Sequence, residues 1–240
     1  MIRFEGVGFS YGTRPILADF SLTCDDKKTT AVLGPSGCGK TTIVRLVCGL
    51  LRPTSGSISV ADNRSSELGL VRGVLFQDDS LIPWLTVLKN TTFPGSVRKG
   101  KRQVDAGVLL SSFGLGHALD YLPSTLSFGM RKRVEFVRAL LADDRFLVGD
   151  EPFTGLDSAQ KQVLWDAWRS HTLRDPRISI LVSHDVDEAI YLSDKIVVLS
   201  GSSPTSVVLV IERGPDGFPA GTRDKIMSGI AAADDRVPTS

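Results

Sequence analysis

The eight residues Gly34-Pro35-Ser36-Gly37-Cys38-Gly39-Lys40-Thr41 have the spacing G-x-x-x-x-G-K-[ST], which is suited to holding phosphate. Glycines let successive backbone N–H groups turn inward around an anion, where side chains would intrude. The N-terminus of a following helix adds unpaired donors and partial positive charge. Lys40 has the reach for β- and γ-phosphates, and the Thr41 hydroxyl is an oxygen ligand for Mg2+. A Gly-rich turn capping an ordinary helix is the competing reading, and the flanks weigh against it. Thr30-Ala31-Val32-Leu33 before the loop reads as a buried strand, while Ile43, Val44, Leu46 and Val47 after it recur at helical spacing.

A second set of candidates lies at the ends of other apolar runs. Phe146-Leu147-Val148-Gly149-Asp150-Glu151-Pro152 reads as a strand ending in two acids. One carboxylate can hold Mg2+, directly or through water, and the other can orient or deprotonate an attacking water. Gly149 inside that strand predicts a close backbone approach or a weaker strand. Gln77 follows Gly73-Val74-Leu75-Phe76 and reads either as a metal or water ligand or as a solvent-facing strand end. His184 follows the apolar run Ile178–Val182, placed to donate to a phosphate oxygen or to serve as a cap. Tyr11, in the turn Ser10-Tyr11-Gly12, offers a ring for stacking on a base or an amphipathic surface residue.

The elements that must position these residues follow in order. Ile2–Val7, Ile16–Thr23 and Thr29–Leu33 are β-like, punctuated by Gly8, Gly12 and Pro15. The helix after the phosphate loop stops at Gly49 to Gly56, and Ser57–Ala61 alternates as a strand. Residues 78–144 carry turn signals at Pro83 and Pro94 and helical patterns at Thr86–Phe93, Gln103–Phe113 and Gly129–Ala142, a mostly helical insert. In its last helix Arg131, Lys132, Arg133 and Arg138 read as a solvated face. A helix over Ser158–Ser170, a helix through Glu188–Leu192, a strand Lys195–Leu199 and an edge strand Ser206–Ile211 follow. Gly214–Gly221 is a loop, and the last twenty residues are expected to form a short helix with a frayed end. Strands alternating with helices around a phosphate loop predict an α/β fold with a mainly parallel sheet, the nucleotide lying at the carboxyl ends of its strands.

Composition excludes several classes. With 28 basic and 27 acidic residues the net charge is +1, so no field points to nucleic acid. The cluster Arg98-Lys99-Gly100-Lys101-Arg102 reads as a solvated face, with anionic lipid or a partner as the alternative. No stretch approaches the ~18 apolar residues of a membrane span, and Met1-Ile2-Arg3-Phe4-Glu5 carries no apolar signal core. Cys24, Cys38 and Cys48 are odd in number and lack metal-ligand spacing, which suits a reducing cytosol. Cys38 in the phosphate loop reads as a small tolerated residue, or as a redox sensor.

Taken together, the phosphate loop, Gln77, Leu126-Ser127-Phe128-Gly129-Met130, Asp150-Glu151, Gly155-Leu156-Asp157 and His184 resemble, in that order, the ATP-binding subunit of an ABC transporter. The resemblance runs from about Phe4 to Leu199. It implies one P-loop NTPase (RecA-like) domain over residues 1–240, with an antiparallel β-subdomain, a helical subdomain at about 79–144 and a short C-terminal extension, 201–240. It implies ATP and Mg2+ as ligands. Tyr11 would stack on adenine, and Gly34 to Thr42 (Gly34, Pro35, Ser36, Gly37, Cys38, Gly39, Lys40, Thr41, Thr42) would form the Walker A loop. Thr41, Gln77 and Asp150 would serve the metal, Gln77 as the Q-loop glutamine would also act in catalysis and sense the transmembrane partner, Glu151 would be the catalytic base and His184 the switch histidine. Ser127 and Gly129 would bind the γ-phosphate held by a second copy, and Asp157 would be the D-loop acid. The partners implied are a second copy in a head-to-tail, ATP-dependent dimer, two transmembrane permease subunits and, indirectly, a solute-binding protein, with no nucleic acid. The place implied is the cytoplasmic face of the membrane, as a peripheral subunit.

Phe128 departs from the family's usual Leu-Ser-Gly-Gly, because glycine there permits close approach to a ligand. The expected consequence is slower or weaker closure with activity retained, the ring either crowding the facing nucleotide or swinging outward. Phe76 through Asn90, with Gly129-Met130-Arg131, resembles importers of the nitrate, sulfonate or taurine type. Leu81, Pro83 and Trp84 are expected to receive a coupling helix from the membrane subunit, local packing being the alternative. Two other functions stay open: a soluble ABC-type ATPase not tied to transport, and a cassette with impaired hydrolysis. No long coiled-coil insertion or second cassette favours the former, and the intact acids weigh against the latter.

Overall fold

The computed structural model describes residues 1–60, 73–93, 106–142 and 145–234. β1 (Ile2–Tyr11) and β2 (Arg14–Cys24) form a hairpin closed by a turn at Gly12-Thr13. β3 (Thr29–Leu33), buried at every position, runs into the phosphate loop, and α1 (Lys40–Val47) leaves it. β4 (Ser55–Val60) returns antiparallel to β1, giving a three-stranded sheet in the order β2-β1-β4. Gly8 and Pro15, expected to interrupt strands, lie inside β1 and β2 instead. At Gly8 the sheet register shifts, and a Cβ would fall 2.4 Å from Ser55 Oγ, so the glycine serves a close approach rather than a break. Pro15 is tolerated because β2 is an edge strand.

β5 (Val74–Leu75) is shorter than the expected Gly73–Phe76 run. After it come α2 (Val87–Thr92), α3 (Ala106–Ser112) and α4 (Phe128–Ala142), with 3-10 turns at Gly116–Ala118 and Pro123–Thr125. No strand occurs among the described residues between β5 and α4. The turn at Pro94, the basic cluster Arg98–Arg102 and the start of the pattern at Gln103 lie outside the described residues.

The rest of the chain alternates β6 (Phe146–Asp150), α5 (Ser158–Arg174), β7 (Ile178–Ser183), α6 (Val186–Leu192), β8 (Lys195–Leu199), β9 (Val207–Glu212) and α7 (Thr222–Asp234). The second sheet has the order β5-β6-β7-β3-β8-β9. Its neighbours are all parallel except β9, which closes the edge antiparallel to β8. This is the α/β, mainly parallel architecture that the sequence predicts. Its central strands are near-continuous apolar runs because both faces are covered. On one face Val32, Val148, Ile180 and Val182 pack with α1 and with the antiparallel sheet, through residues such as Phe4, Phe20, Ile43 and Leu46. On the other, Leu75, Leu147 and Leu181 pack with α2, α4 and α5 around Phe136 and Trp168. Ala31, Leu33, Ile196 and Val198 lie under α6 and α7. Among the described residues no helix is long and apolar enough to cross a membrane.

Candidate functional site

β6, β7 and β3 are adjacent, so their carboxyl ends bring Asp150-Glu151, His184 and the Gly34–Thr41 loop to one place. This is where an open parallel sheet leaves a crevice. Gly39 precedes α1 with φ +104, a conformation that a side chain resists, and a Cβ there would also meet Ile16 Cγ2 at 2.8 Å. Lys40 is buried, and its ammonium donates to the carbonyls of Gly34 (2.7 Å) and Pro35 (2.9 Å), lying across its own loop. The Thr41 hydroxyl donates to Asp150 Oδ1 at 3.2 Å. Burial pushes the Asp150 carboxyl up, the Thr41 bond opposes this, and the neighbouring Glu151 charge adds to it. Cys38, within the loop, and Thr42, just after it, are buried. Burial also pushes the thiols of Cys24 and Cys48 up to about 12, which leaves them inert.

Glu151 turns the chain out of β6 with φ +47, a left-handed conformation unusual for its type. Its N–H donates to Val182 O at 2.9 Å, anchoring the turn to β7. On its side chain, Oε2 meets His184 Nδ1 at 3.2 Å and accepts from the Thr154 hydroxyl at 3.3 Å. Thr154 carries no motif that would mark it in the sequence; only its place three residues after the acid could have. Gly149 answers its expectation in one way: a Cβ would lie 2.8 Å from Pro152 Cγ, so the chain folds close. The strand is not weakened, since β6 keeps its ladder to β7 over all five residues.

Tyr11 projects from the end of the β1–β2 hairpin. Its ring meets Phe9 edge-on at 4.9 Å, and its hydroxyl accepts from Arg45 of α1 at 3.4 Å. The aromatic is thus tied to the helix that the phosphate loop begins.

Gln77 is exposed, but its backbone is held by α4. Lys132 Nζ donates to Gln77 O at 2.9 Å and Phe76 O at 3.3 Å, and pairs with Glu135 at 3.1 Å. Glu135 Oε1 accepts from Ser80 N–H (2.5 Å) and the Ser80 hydroxyl (2.8 Å). Arg138 donates to Ser80 O at 2.8 Å and to Ser80 Oγ, and Arg131 pairs with Asp79 at 2.5 Å. The expected solvated basic face is therefore overturned. Lys132 is 2% exposed, and three of the four cations grip the loop after β5, while Arg133 reaches Gly129 O and Phe113 O. The signal available was Lys132 and Glu135 at i,i+3, which reads equally well as an exposed pair.

Leu81, Pro83 and Trp84 separate in the structure. Leu81 joins the core under α4, whereas Pro83 is exposed and Trp84 is 77% exposed. Buried Asn90 fixes this turn, accepting from Ile82 N–H and donating to the carbonyls of Ile82, Leu85 and Thr86.

Ser127, Gly129 and Asp157 form a second locus where α4 and α5 begin side by side. The Ser127 hydroxyl caps α4 by accepting from Met130 N–H, and Asp157 caps α5 by accepting from Gln160 N–H. Gly129 lies against Gln160, where a Cβ would fall 2.5 Å from Oε1. Phe128 leans onto Gly155 of its own chain, with a Gly155 Cβ position 3.1 Å from Cε1.

Comparison with known proteins decides what this arrangement belongs to. The ABC transporter family profile matches residues 17–154, more than half the chain. The chain belongs to the ABC transporter family. The cassette is 36% identical over 231 residues to an aliphatic sulfonates import ATP-binding protein of Pseudomonas savastanoi, covering 96% of this chain and 92% of that protein. It is 35% identical over 207 residues to a taurine import ATP-binding protein of Yersinia pestis, covering 83% and 80%. Among solved structures, a dimeric bacterial ABC transporter cassette aligns with TM-score 0.75 and 25% identity over 89% of this chain and 100% of that one. As an ABC cassette the chain is an ATPase that binds ATP.

The oxygen donors present fit a hard divalent cation. Thr41 Oγ1 and Asp150 Oδ1 already lie side by side, and Mg2+ shared with phosphates takes only one or two protein ligands. Among the described residues no group of three or more His, Cys, Asp or Glu gathers into a metal cage.

Proposed function

We propose that this cassette powers import of a small sulfonate-like solute, such as an aliphatic sulfonate or taurine, through a membrane ABC transporter. The observation that carries the reading is the convergence of Thr41 with Asp150, and of Glu151 with His184, at the ends of three adjacent strands in a chain of this family. The names of two relatives, both import subunits for sulfonates or taurine, support the solute class.

In this reading the Gly34–Thr42 loop and the start of α1 surround the β- and γ-phosphates, and the Lys40 ammonium moves from its two carbonyls to phosphate oxygens. Tyr11 stacks on adenine. Thr41 and Asp150, with Gln77, would hold Mg2+, which would supply charge neutralisation at the phosphates. Glu151 orients a water and takes its proton as the water oxygen bonds to the γ-phosphorus. The bond to the bridging oxygen breaks, giving ADP and inorganic phosphate. His184 fixes the carboxylate and reaches toward the γ-phosphate.

Ser127, Gly129 and Asp157 lie together away from Lys40's contacts, which suits a head-to-tail pair in which each copy completes the other's site. In the same reading the helical subdomain takes in the described residues between 79 and 142, and the C-terminal extension those from 201 to 234. Two permease subunits would dock on the exposed Trp84 turn beside Gln77, placing the cassette at the cytoplasmic face of the membrane, with a solute-binding protein acting outside.

The test is mass in solution and phosphate release, with and without MgATP, for wild type and Glu151→Gln. A dimer formed only with MgATP, transient in wild type and lasting in the variant, is the expected result. ATP binding with no dimer and no turnover would overturn the reading.

A further inference from the structure

We propose that Phe128 is a positioning residue for Glu151 of its own subunit, acting through the turn that it packs against. The proposal rests on the reading of Glu151 as the base given above.

Phe128 is the first residue of α4 and is 39% exposed. One edge of its ring covers Gly155: a Cβ there would lie 3.1 Å from Cε1 and 3.3 Å from Cζ. Only glycine leaves that seat open, and its φ of +83 also favours glycine. Arg131 and Lys132 place their cations 5.8 and 5.6 Å from the ring centroid, which favours this ring position.

The turn beneath is short. Glu151 leads through Pro152, Phe153 and Thr154 to Gly155. Phe153 is buried against Trp168, with ring centroids 6.1 Å apart. Thr154 and Gly155 are exposed. Thr154 therefore sits between two aromatic anchors, Phe153 in the core and Phe128 at the surface. Its hydroxyl donates to Glu151 Oε2, the same oxygen that His184 meets, and its N–H donates to Glu151 O at 3.2 Å. Without the outer anchor, Gly155 regains both halves of its φ range, and the hydroxyl that orients the carboxylate moves with it. The ring thus turns inward onto its own chain, so its main effect is on its own base and not on the facing nucleotide.

The test uses Phe128→Gly, Phe128→Tyr, Thr154→Ala and a double variant carrying both Phe128→Gly and Thr154→Ala. Steady-state ATPase is measured with MgATP, and hydrogen exchange of the Thr154 and Leu156 amides without nucleotide. Phe128→Gly is expected to lower kcat about tenfold with KM for ATP within about twofold, and to speed exchange of those amides while β6 stays protected. Phe128→Tyr is expected to keep wild-type values, since the ring is what matters. The double variant is expected to be no slower than the slower of the two single ones. Equal or higher kcat in Phe128→Gly, the result of relieving a crowded facing nucleotide, would overturn the proposal, as would unchanged exchange or fully additive losses. A wild-type protein that binds MgATP without hydrolysing it would overturn the function beneath, whereas exchange would still report separately on whether the ring holds the turn.

Discussion

The nucleotide end of the cassette and the loop that leaves it toward Trp84 are held in opposite ways. At the strand ends, Thr41–Asp150, His184–Glu151 and Thr154–Glu151 meet at 3.2 to 3.3 Å, and His184 and Thr154 are exposed. From Gln77 to Thr86, buried side chains make most of the contacts: Lys132, Glu135 and Asn90, with Arg138 partly covered. Buried, satisfied polar groups fix a conformation, because each alternative leaves some of them unpaired. The groups around Glu151 are thus lightly restrained, whereas Lys40 is buried on the carbonyls of Gly34 and Pro35. The segment that would carry the consequence outward is fastened to α4 by these bonds.

Breaking the chemistry should have the largest effect. Glu151→Gln is expected to lower turnover about a thousandfold, with ATP binding kept, as read by phosphate release and nucleotide titration. A drop in affinity to match would mean that the light restraint also builds the binding site. Breaking the rigid side comes next. Glu135→Ala strands the buried Lys132 ammonium and the Ser80 N–H, and is expected to cost about 3 kcal/mol in urea unfolding. A loss under about 1 kcal/mol would mean that the loop is not held by this pair.

A pH-dependent case sharpens the contrast. Glu188, in the first turn of α6, is 3% exposed, and burial pushes its carboxyl up to about 8. The polar neighbours Ser183, Lys161 and Trp165 oppose this, and the Asp185 charge adds to it. The folded state therefore keeps its proton above the ordinary 4.5, and stability falls as pH rises from 4.5 to about 8 and then levels off. Glu188→Gln should gain about 2 kcal/mol at pH 8.5 and almost nothing at pH 4.5, read as paired unfolding midpoints. An equal gain at both pH values would show that packing, not charge, is responsible. The smallest structural effect belongs to Trp84→Ala. With the side chain exposed, unfolding should shift by under about 0.5 kcal/mol, while transport driven by ATP in the assembled system is lost. Retained coupling would make Trp84 a bystander on a rigid turn.

The strand-end site was legible in the sequence, and the way the loop from Gln77 to Thr86 is held was not. A phosphate loop uses backbone N–H groups, so its glycines and its Lys-Thr pair must stand at fixed spacing, and α1 and β3 frame it as expected. Asp150, Glu151 and His184 were readable because each ends a buried apolar run. Lys132 was misread because amphipathic periodicity assigns charge to water, and a cation buried by distant carbonyls leaves no local trace. Asn90 was missed for a similar reason: one amide satisfying three carbonyls and an N–H looks like any polar residue in a helix. Gly8 and Pro15 were misjudged because a close crossing and an edge position excuse both.

β9 has a consequence of a different kind. Its segment Val207–Glu212 is mostly β-branched and lies at a sheet edge, with Val208 and Val210 exposed. Leu209 and Ile211 are covered by α7 through Ile226 and Ile230. Were α7 displaced, both faces of a short, apolar edge strand would meet solvent, the composition that recruits strands from other chains. α7 is in this sense a solubility cover. Its loss would register as clumping in concentrated or refolding samples before it registered in ATP turnover.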